Sequence, residues 1–599
     1  MISNYVILWE YDKPVNIDLL TGYSPNVWQY KLTPGTVTIT DDYGITGYYE
    51  DNNATMYNVQ SFKANGTDYS IATSISDCES TKTSFYFDYA NQIIYIHFED
   101  DGSTYSFYEM FVGAAIGYSY GTMSEGSYFN DRYYEPRIDK IFNISKKKDP
   151  LYYGSLKFVK GEIDCQNEDG HFDNWQDRNL FAQATRLKLG NDGDAYSAFT
   201  TIFSGYIEND STNWEKFTVN LQDIRAGLTQ PIASNLLTLT DYPYLNESNI
   251  DTPKPVAYGD IYGAECICLN EEETAATYTF LLCDTEFNNV YSLNKVLVEG
   301  VDQTANATLN ASAGTFTLAT AYYDPGDEVI ADFTVNIKNG VDIIKDLIAN
   351  YDDKPYLSSF WDLTETAIAQ ALSRNTSLYI DDDTKLSECI ESICFDIDGL
   401  FFSKDNGLYT IRIYDEDREP VKTIKSDEWV NIPDVENEGS QYLTSAIIKY
   451  KKNLTDDTYL QIENRDYESA AFDTYKRYKV ETFETMLTTE SDANLKAQTI
   501  LDYSSSVPSV VKRRTKFQNV DLEIMDFVVC SPFTRFGARE RYGVYEVIGI
   551  VKDFNRYEIE LTLKFVKDYP YPVDVVYEVL TDEAGEYITD ESDDTIAMR

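Results

Sequence analysis

His97 and His171 are the only histidines among 599 residues, so any Ser–His or Cys–His nucleophile would have to draw its base from that pair. His97 falls in the alternating run Ile93-Ile-Tyr-Ile-His-Phe98, where a structural place in a strand is expected. No phosphate-binding P-loop, Gly-x-Gly-x-x-Gly or His-Glu-x-x-His pattern occurs. With 100 Asp and Glu residues, some carboxylate pairs mimic a glycosidase acid and nucleophile by chance, and one sequence holds no distance to test them. The expectation is a protein that is not an enzyme, with no catalytic residue and no cofactor.

Metal chemistry is also poorly supplied. The eight cysteines include Cys266-x-Cys268 and the pair Cys389 and Cys394, but no Cys-x-x-Cys, so zinc and iron–sulfur ligation find no spacing that suits them. The acidic turn Asp164-Cys-Gln-Asn-Glu-Asp-Gly-His-Phe-Asp173 invites a calcium reading. An EF-hand needs glycine at its sixth position, and counting from Asp164 the glycine falls seventh, between strands and not helices. Asn191-Asp-Gly-Asp194 reads as a hairpin turn. Asp381-Asp-Asp383 reads as the N-cap of the next helix. No metal is expected, with calcium at the 164–173 turn as the alternative.

The elements that would position these residues are mostly strands. A chain of 599 residues exceeds what one core holds, and several domains are expected. Hydrophobic residues make up 43% and tyrosine alone 50 positions, which excludes a disordered acidic polymer. The formal charge is −51, which argues against a nucleic-acid binder, since phosphate contacts need clustered Lys and Arg. Such charge serves solubility, or lines a lumen through which DNA slides without sticking; the screening length of about 8 Å confines the second effect to a narrow channel. Scattered cysteines suggest a reducing compartment and no disulfide framework. The first residues lack a basic signal-peptide region, and no apolar run is long enough to span a bilayer, so assembly in the cytoplasm without membrane insertion is expected.

The fold class expected is mainly β with a few short helices, in several small antiparallel barrels or sandwiches. The divisions are 1–122 (strands of unknown role), 123–240, 241–338, 339–440 (α/β), 441–570, and an acidic tail over 571–599. Phe111–Tyr118 reads as small and flexible, just before a boundary at Gly121–Gly126. Helices are expected at Val341–Ala349, Leu363–Ser373, from Thr384 through Ile397, and from Ser491 as N-cap to Tyr503. In the third, Leu386, Cys389, Ile390, Ile393, Cys394 and Ile397 form one apolar stripe. The hairpin after it alternates Tyr409, Ile411 and Ile413 with Thr410 and Arg412 around a Lys404-Asp-Asn-Gly407 turn.

One stretch is less generic. Asn167-Glu-Asp-Gly-His-Phe-Asp173 resembles the Asn-x-Asp-Gly-x-Phe turn of tail proteins from long-tailed phages and prophages. Asn167 and Asp169 can stabilise such a turn, Gly170 can take positive φ, Phe172 can anchor it, and Asp173 closes it. Thr185–Gly190, Thr201-Ile-Phe-Ser-Gly205-Tyr-Ile-Glu208, Asp223–Pro231 and the passage Lys254-Pro-Val-Ala-Tyr258-Gly259-Asp260 are similar to the segments downstream of the turn in that family. The later segments Ile447–Tyr450, Asp492–Leu501, Val520–Val529, Tyr542–Val547 and Ile559–Leu563 resemble baseplate hub proteins in their order. One position departs: hubs place glycine where this chain has Met525, before Asp526.

The resemblance implies a tail-tip hub of a siphovirus-like phage, prophage or gene transfer agent, located at the virion's baseplate. It implies a homotrimer whose paired β modules form a pseudo-sixfold ring. Contacts with the distal tail protein, the tape-measure protein and tip or fibre proteins are implied too, as is passage of genomic DNA without specific binding. A receptor-binding or adhesin-like appendage is the alternative.

Overall fold

In a computed structural model, the described residues are 132–569, apart from 149–159, 174–179, 274–275, 287, 353, 432–433, 438–441, 466–475, 477, 505–508 and 531–541. Outside that span they are 5–16, 21–24, 27–31, 37–38, 46–47, 59–64, 67–68, 70–81, 84–88, 93–97, 110–121, 127–129, 578–579 and 597–598. The expected acidic tail thus lies outside the described residues except for the last two pairs. The protein is mainly β, with one short helix at Ile75–Ser80 and the others in its second half.

The first large sheet gathers strands from both sides of residue 122. Its order runs Met110–Gly121, Tyr5–Asn16, Ala184–Asn191, Thr200–Thr212, Lys216–Asp223, Lys160–Gln166, Ile138–Ile141. Phe111–Tyr118, expected as a flexible segment, is instead the middle of a strand paired antiparallel with Val6–Asn16. Gly and Ala have weak strand propensity, but a long register with a neighbour supplies the backbone hydrogen bonds that propensity does not.

The second large sheet runs Lys422–Ile424, Phe527–Cys530, Gly543–Asp553, Glu558–Asp568, Ser509–Lys516, Asp434–Asn437. Shortly past Ile138–Ile141 the chain enters this sheet as Ile144–Lys147, antiparallel to Gly543–Asp553. One buried cluster then serves both sheets, with Ile163, Leu187 and Val219 from the first and Val547, Ile550 and Leu561 from the second. Period-two alternation explains why both contribute: Glu558–Asp568 buries Ile559, Leu561 and Leu563 in succession.

Between the large sheets in sequence lie smaller units. Residues 260–335 form two four-stranded sheets around Phe280, Phe316 and Phe333. Helices Gly340–Tyr351, Leu363–Leu372 and Leu386–Asp396 accompany the hairpin Gly399–Ser403 with Tyr409–Ile413. That hairpin is buried on both faces. Phe401, Tyr409, Ile411 and Ile413 enter the helical core, whereas Leu400 and Phe402 enter the core shared by the large sheets. A three-stranded sheet packs against helix Glu490–Ser504, and a separate five-stranded sheet runs Thr21–Ser24, Val27–Lys31, Ile93–His97, Ser84–Asp88, Ser70–Ile71.

Two helix starts differ from expectation. Asp381–Asp383 does not cap Leu386–Asp396: the N-cap is Lys385, and Asp382 accepts from Thr384 instead. The first helical N–H groups find backbone partners, Leu386 on Gln230 O and Ser387 on Leu228 O, so no side chain is needed. At the other helix, Thr489 and not Ser491 caps, its Oγ1 accepting from Asp492 N at 3.1 Å and donating to the Asp492 carboxylate at 2.7 Å.

Candidate functional site

The turn after Lys160–Gln166 is organised by Asn167. Its side-chain oxygen accepts from Phe172 N at 2.7 Å, and its Nδ2 donates to Asp173 Oδ1 and Asn213 O, both at 2.8 Å. Gly170 has φ +72°, a region where a β-branched residue is strained, and its N–H donates to Asn167 O. Phe172 is fully buried and stacks on Phe217 at 4.5 Å. Asp169 points outward and receives both terminal nitrogens of Arg137, at 2.9 and 2.7 Å. That guanidinium holds the Asp169 carboxyl below its ordinary value. The polar groups of Asn167, Asp169 and Asp173 are all engaged in holding shape.

Gly205 sits where the strands Thr200–Thr212 and Lys216–Asp223 close together; a Cβ there would lie 2.1 Å from Gln222 O. Tyr258 and Gly259 are elsewhere. Tyr258 donates to Asp346 at 2.7 Å on the helix Gly340–Tyr351, and Gly259, with φ +75°, passes against Thr376 O. The residues singled out in sequence therefore fall into two structural posts, one per region, and do not converge on a common pocket.

What does converge is a buried seam of charge. Strand Ile144–Lys147 and the bridge residue Lys148 send Ile144, Lys146 and Lys148 inward on alternate positions. Lys146 donates to Asp405 at 2.9 Å and Glu523 at 2.7 Å, and Lys552 donates to the other Asp405 oxygen. This quartet carries two charges of each sign and joins the crossing strand, the hairpin turn and the second sheet. Burial alone would raise Glu523, but Lys146 and Lys552 beside it hold it down to about 2. Next to it, Lys148 pairs with Glu546 at 2.5 Å, both fully buried, and Tyr503 donates to the second Glu546 oxygen at 3.0 Å. Arg412, on the inner face of the hairpin, reaches Asp526 at 2.8 Å. Pairs buried this deeply are costly to break, since the partner left behind is an uncompensated charge. The signal for them in sequence was Lys146-Lys-Lys148, a basic run on an alternating strand in an acidic chain.

Met525 sits beside that seam with φ +64°. The position that stands out as a departure in the sequence is a left-handed turn, occupied by a residue that disfavours it. Met525 is 2% exposed, inside the shared core, with its N–H on Val547 O. Burial of its side chain offsets a strain of about 1–2 kcal/mol.

All eight cysteines are buried thiols, and burial pushes Cys389 and Cys283 up to about 12. One Gly-x-Ser-x-Gly, Gly117-Tyr-Ser-Tyr-Gly121, lies in the paired strand Met110–Gly121 and not at the strand-to-helix elbow that exposes a nucleophile. Among the described residues no three His, Cys, Asp or Glu side chains group to hold a metal ion. No described helix is long and apolar enough to cross a membrane.

No family model matches this chain, and no curated protein matches it. Solved structures do. A tail protein from Neisseria meningitidis is matched with TM-score 0.37 and 8% identity, over 73% of this chain and 94% of that one. The 43 kDa tail protein of prophage MuSo2 from Shewanella oneidensis gives 0.34 and 9%, over 74% and 98%. A chain of the native gene transfer agent virion gives 0.36 and 10%, over 56% and 90%.

Proposed function

We propose that this protein is a structural, non-enzymatic hub of a phage-type tail tip, closing the distal end of the tail tube. The observation that carries the reading is the pairing of the two large sheets. Segments about 400 residues apart are stitched by Ile144–Lys147, share one apolar core and are pinned by a buried neutral ion quartet. A subunit that holds two β modules in one body can contribute two positions to a ring, so three subunits supply six. Its partners on this reading are two further copies, the distal tail and tape-measure proteins above, and tip or fibre proteins below. The formal charge of −51 suits a lumen that lets DNA pass without capture.

The test is the native mass of the purified chain with negative-stain imaging of the same sample. A ring-shaped species near 205 kDa, about three times the 68.5 kDa chain, supports the hub. A monomer that stays monomeric when mixed with its tail neighbours would sink it.

A further inference from the structure

Helix Leu363–Leu372 turns its apolar side outward. Its buried residues are Thr366 and Ala369, whereas Ile368 is 50% exposed, Leu372 44% and Leu363 37%. Leu357, in the turn just before the helix, is 54% exposed, and Tyr356 beside it donates its Oη to Leu363 O. Ala367 and Ala371 fill the exposed face between the larger side chains. The small inner residues let the helix lie close on Tyr409–Ile413 and leave the large ones facing solvent. These residues spread over about half of the helix circumference, with the exposed Thr364 among them, and such a largely apolar face is a surface that a second amphipathic helix covers.

The rim says which kind of helix. Arg418 donates to Glu365 at 2.8 Å, which brings the loop Asp415–Glu419 beside the first turn, with Glu416 and Glu419 exposed and Asp417 paired to Lys567 at 3.0 Å. No described helix of this chain carries more than one Lys or Arg, so a second copy offers this rim no basic helix, and the chain's own acidic C-terminal segment would meet it with like charge. We infer that this face docks a helix of a different protein, apolar along one stripe and flanked by Lys or Arg. The inference stands apart from the hub reading, since it rests on this helix and its rim alone.

The probes are two synthetic helical peptides with the same leucine stripe, one flanked by Lys and one by Glu, titrated into the full chain. The Lys-flanked peptide should bind, and its affinity should fall as salt rises. Ile368→Gln combined with Leu372→Gln leaves every charge in place and should weaken binding at least about tenfold. Circular dichroism and the thermal midpoint should stay unchanged, because both side chains are already exposed; the single Ile368→Gln serves if the pair perturbs folding. Equal binding of both peptides, no binding of either, or indifference to the substitutions overturns the proposal. So does a native mass that falls to a monomer in the substituted protein, which would show that a second copy covers this face.

Discussion

Two helices of one block, Leu386–Asp396 and Leu363–Leu372, share a length and an amphipathic pattern yet face opposite ways. The first buries Leu386, Cys389, Ile390, Ile393 and Cys394 in the helical core and hands the chain to the hairpin. The second buries Thr366 and Ala369 and leaves Ile368 and Leu372 in solvent. Periodicity identifies a stripe, not what lies against it. The difference arises from tethers: Leu386 and Ser387 are hydrogen-bonded to the 228–230 backbone and Asp396 to Thr376 and Met486, which fixes which side faces in.

The largest effect should come from the inward stripe. Ile393→Ala removes a side chain that is 1% exposed and should cost about 2–5 kcal/mol, measured by denaturant unfolding. A cost below about 1 kcal/mol would erase the contrast between the helices. At the end of the same helix, burial pushes Asp396 up to about 6, against hydrogen bonds from Thr376 and Met486 and the charge of Lys496 that pull it down. The folded value exceeds the unfolded one, so the folded state is protonated in a window where the unfolded state is ionised. Stability from this group is therefore fully present below pH 3.8 and is lost as pH rises through about 6. Asp396→Asn cannot ionise, so its stability relative to the parent should be higher at pH 7 than at pH 4 by about 2–3 kcal/mol. A difference that does not change with pH would mean Asp396 ionises normally.

The same contrast explains how much of the fold and site was legible in sequence. Local patterns were readable: the alternation at Tyr409, Ile411 and Ile413, the stripe from Leu386 to Ile397, and the positive φ at Gly170 all depend on neighbours in sequence. Pairings were not. That Tyr5–Asn16 lies between Met110–Gly121 and Ala184–Asn191, or that Lys146 meets Asp405 and Glu523, depends on contacts hundreds of residues apart that no local spacing encodes. Caps failed for a related reason, since backbone from residues 228–230 replaced the side chain at Asp381–Asp383. Met525 shows the middle case. The absence of a glycine was visible as a departure, but only the structure shows that the turn is left-handed around a buried side chain.

The inner face of the outward helix offers a finer test. Thr366 is fully buried, and its hydroxyl has no hydrogen-bond partner within the described residues. Thr366→Val keeps the shape and removes that desolvated group, so it should stabilise the protein by about 1 kcal/mol. Destabilisation would reveal a partner for the hydroxyl and weaken the claim that this face is merely small and close-packed.

The smallest effect is the most informative. Ile368→Ala removes the same atoms as Ile393→Ala from a helix of nearly the same length, so the helical propensity terms cancel between the two variants. With half of its side chain already in water, Ile368 loses little on unfolding, and the change should fall within about 0.5 kcal/mol of the parent protein. A loss close to that of Ile393→Ala would mean that the exposed stripe is covered in solution by the protein itself. Near-neutral stability, together with weakened peptide binding in the glutamine variants, would mean that the stripe is kept for a partner. Stability and peptide binding together thus separate a face turned outward for docking from a face that only looks exposed in a single chain.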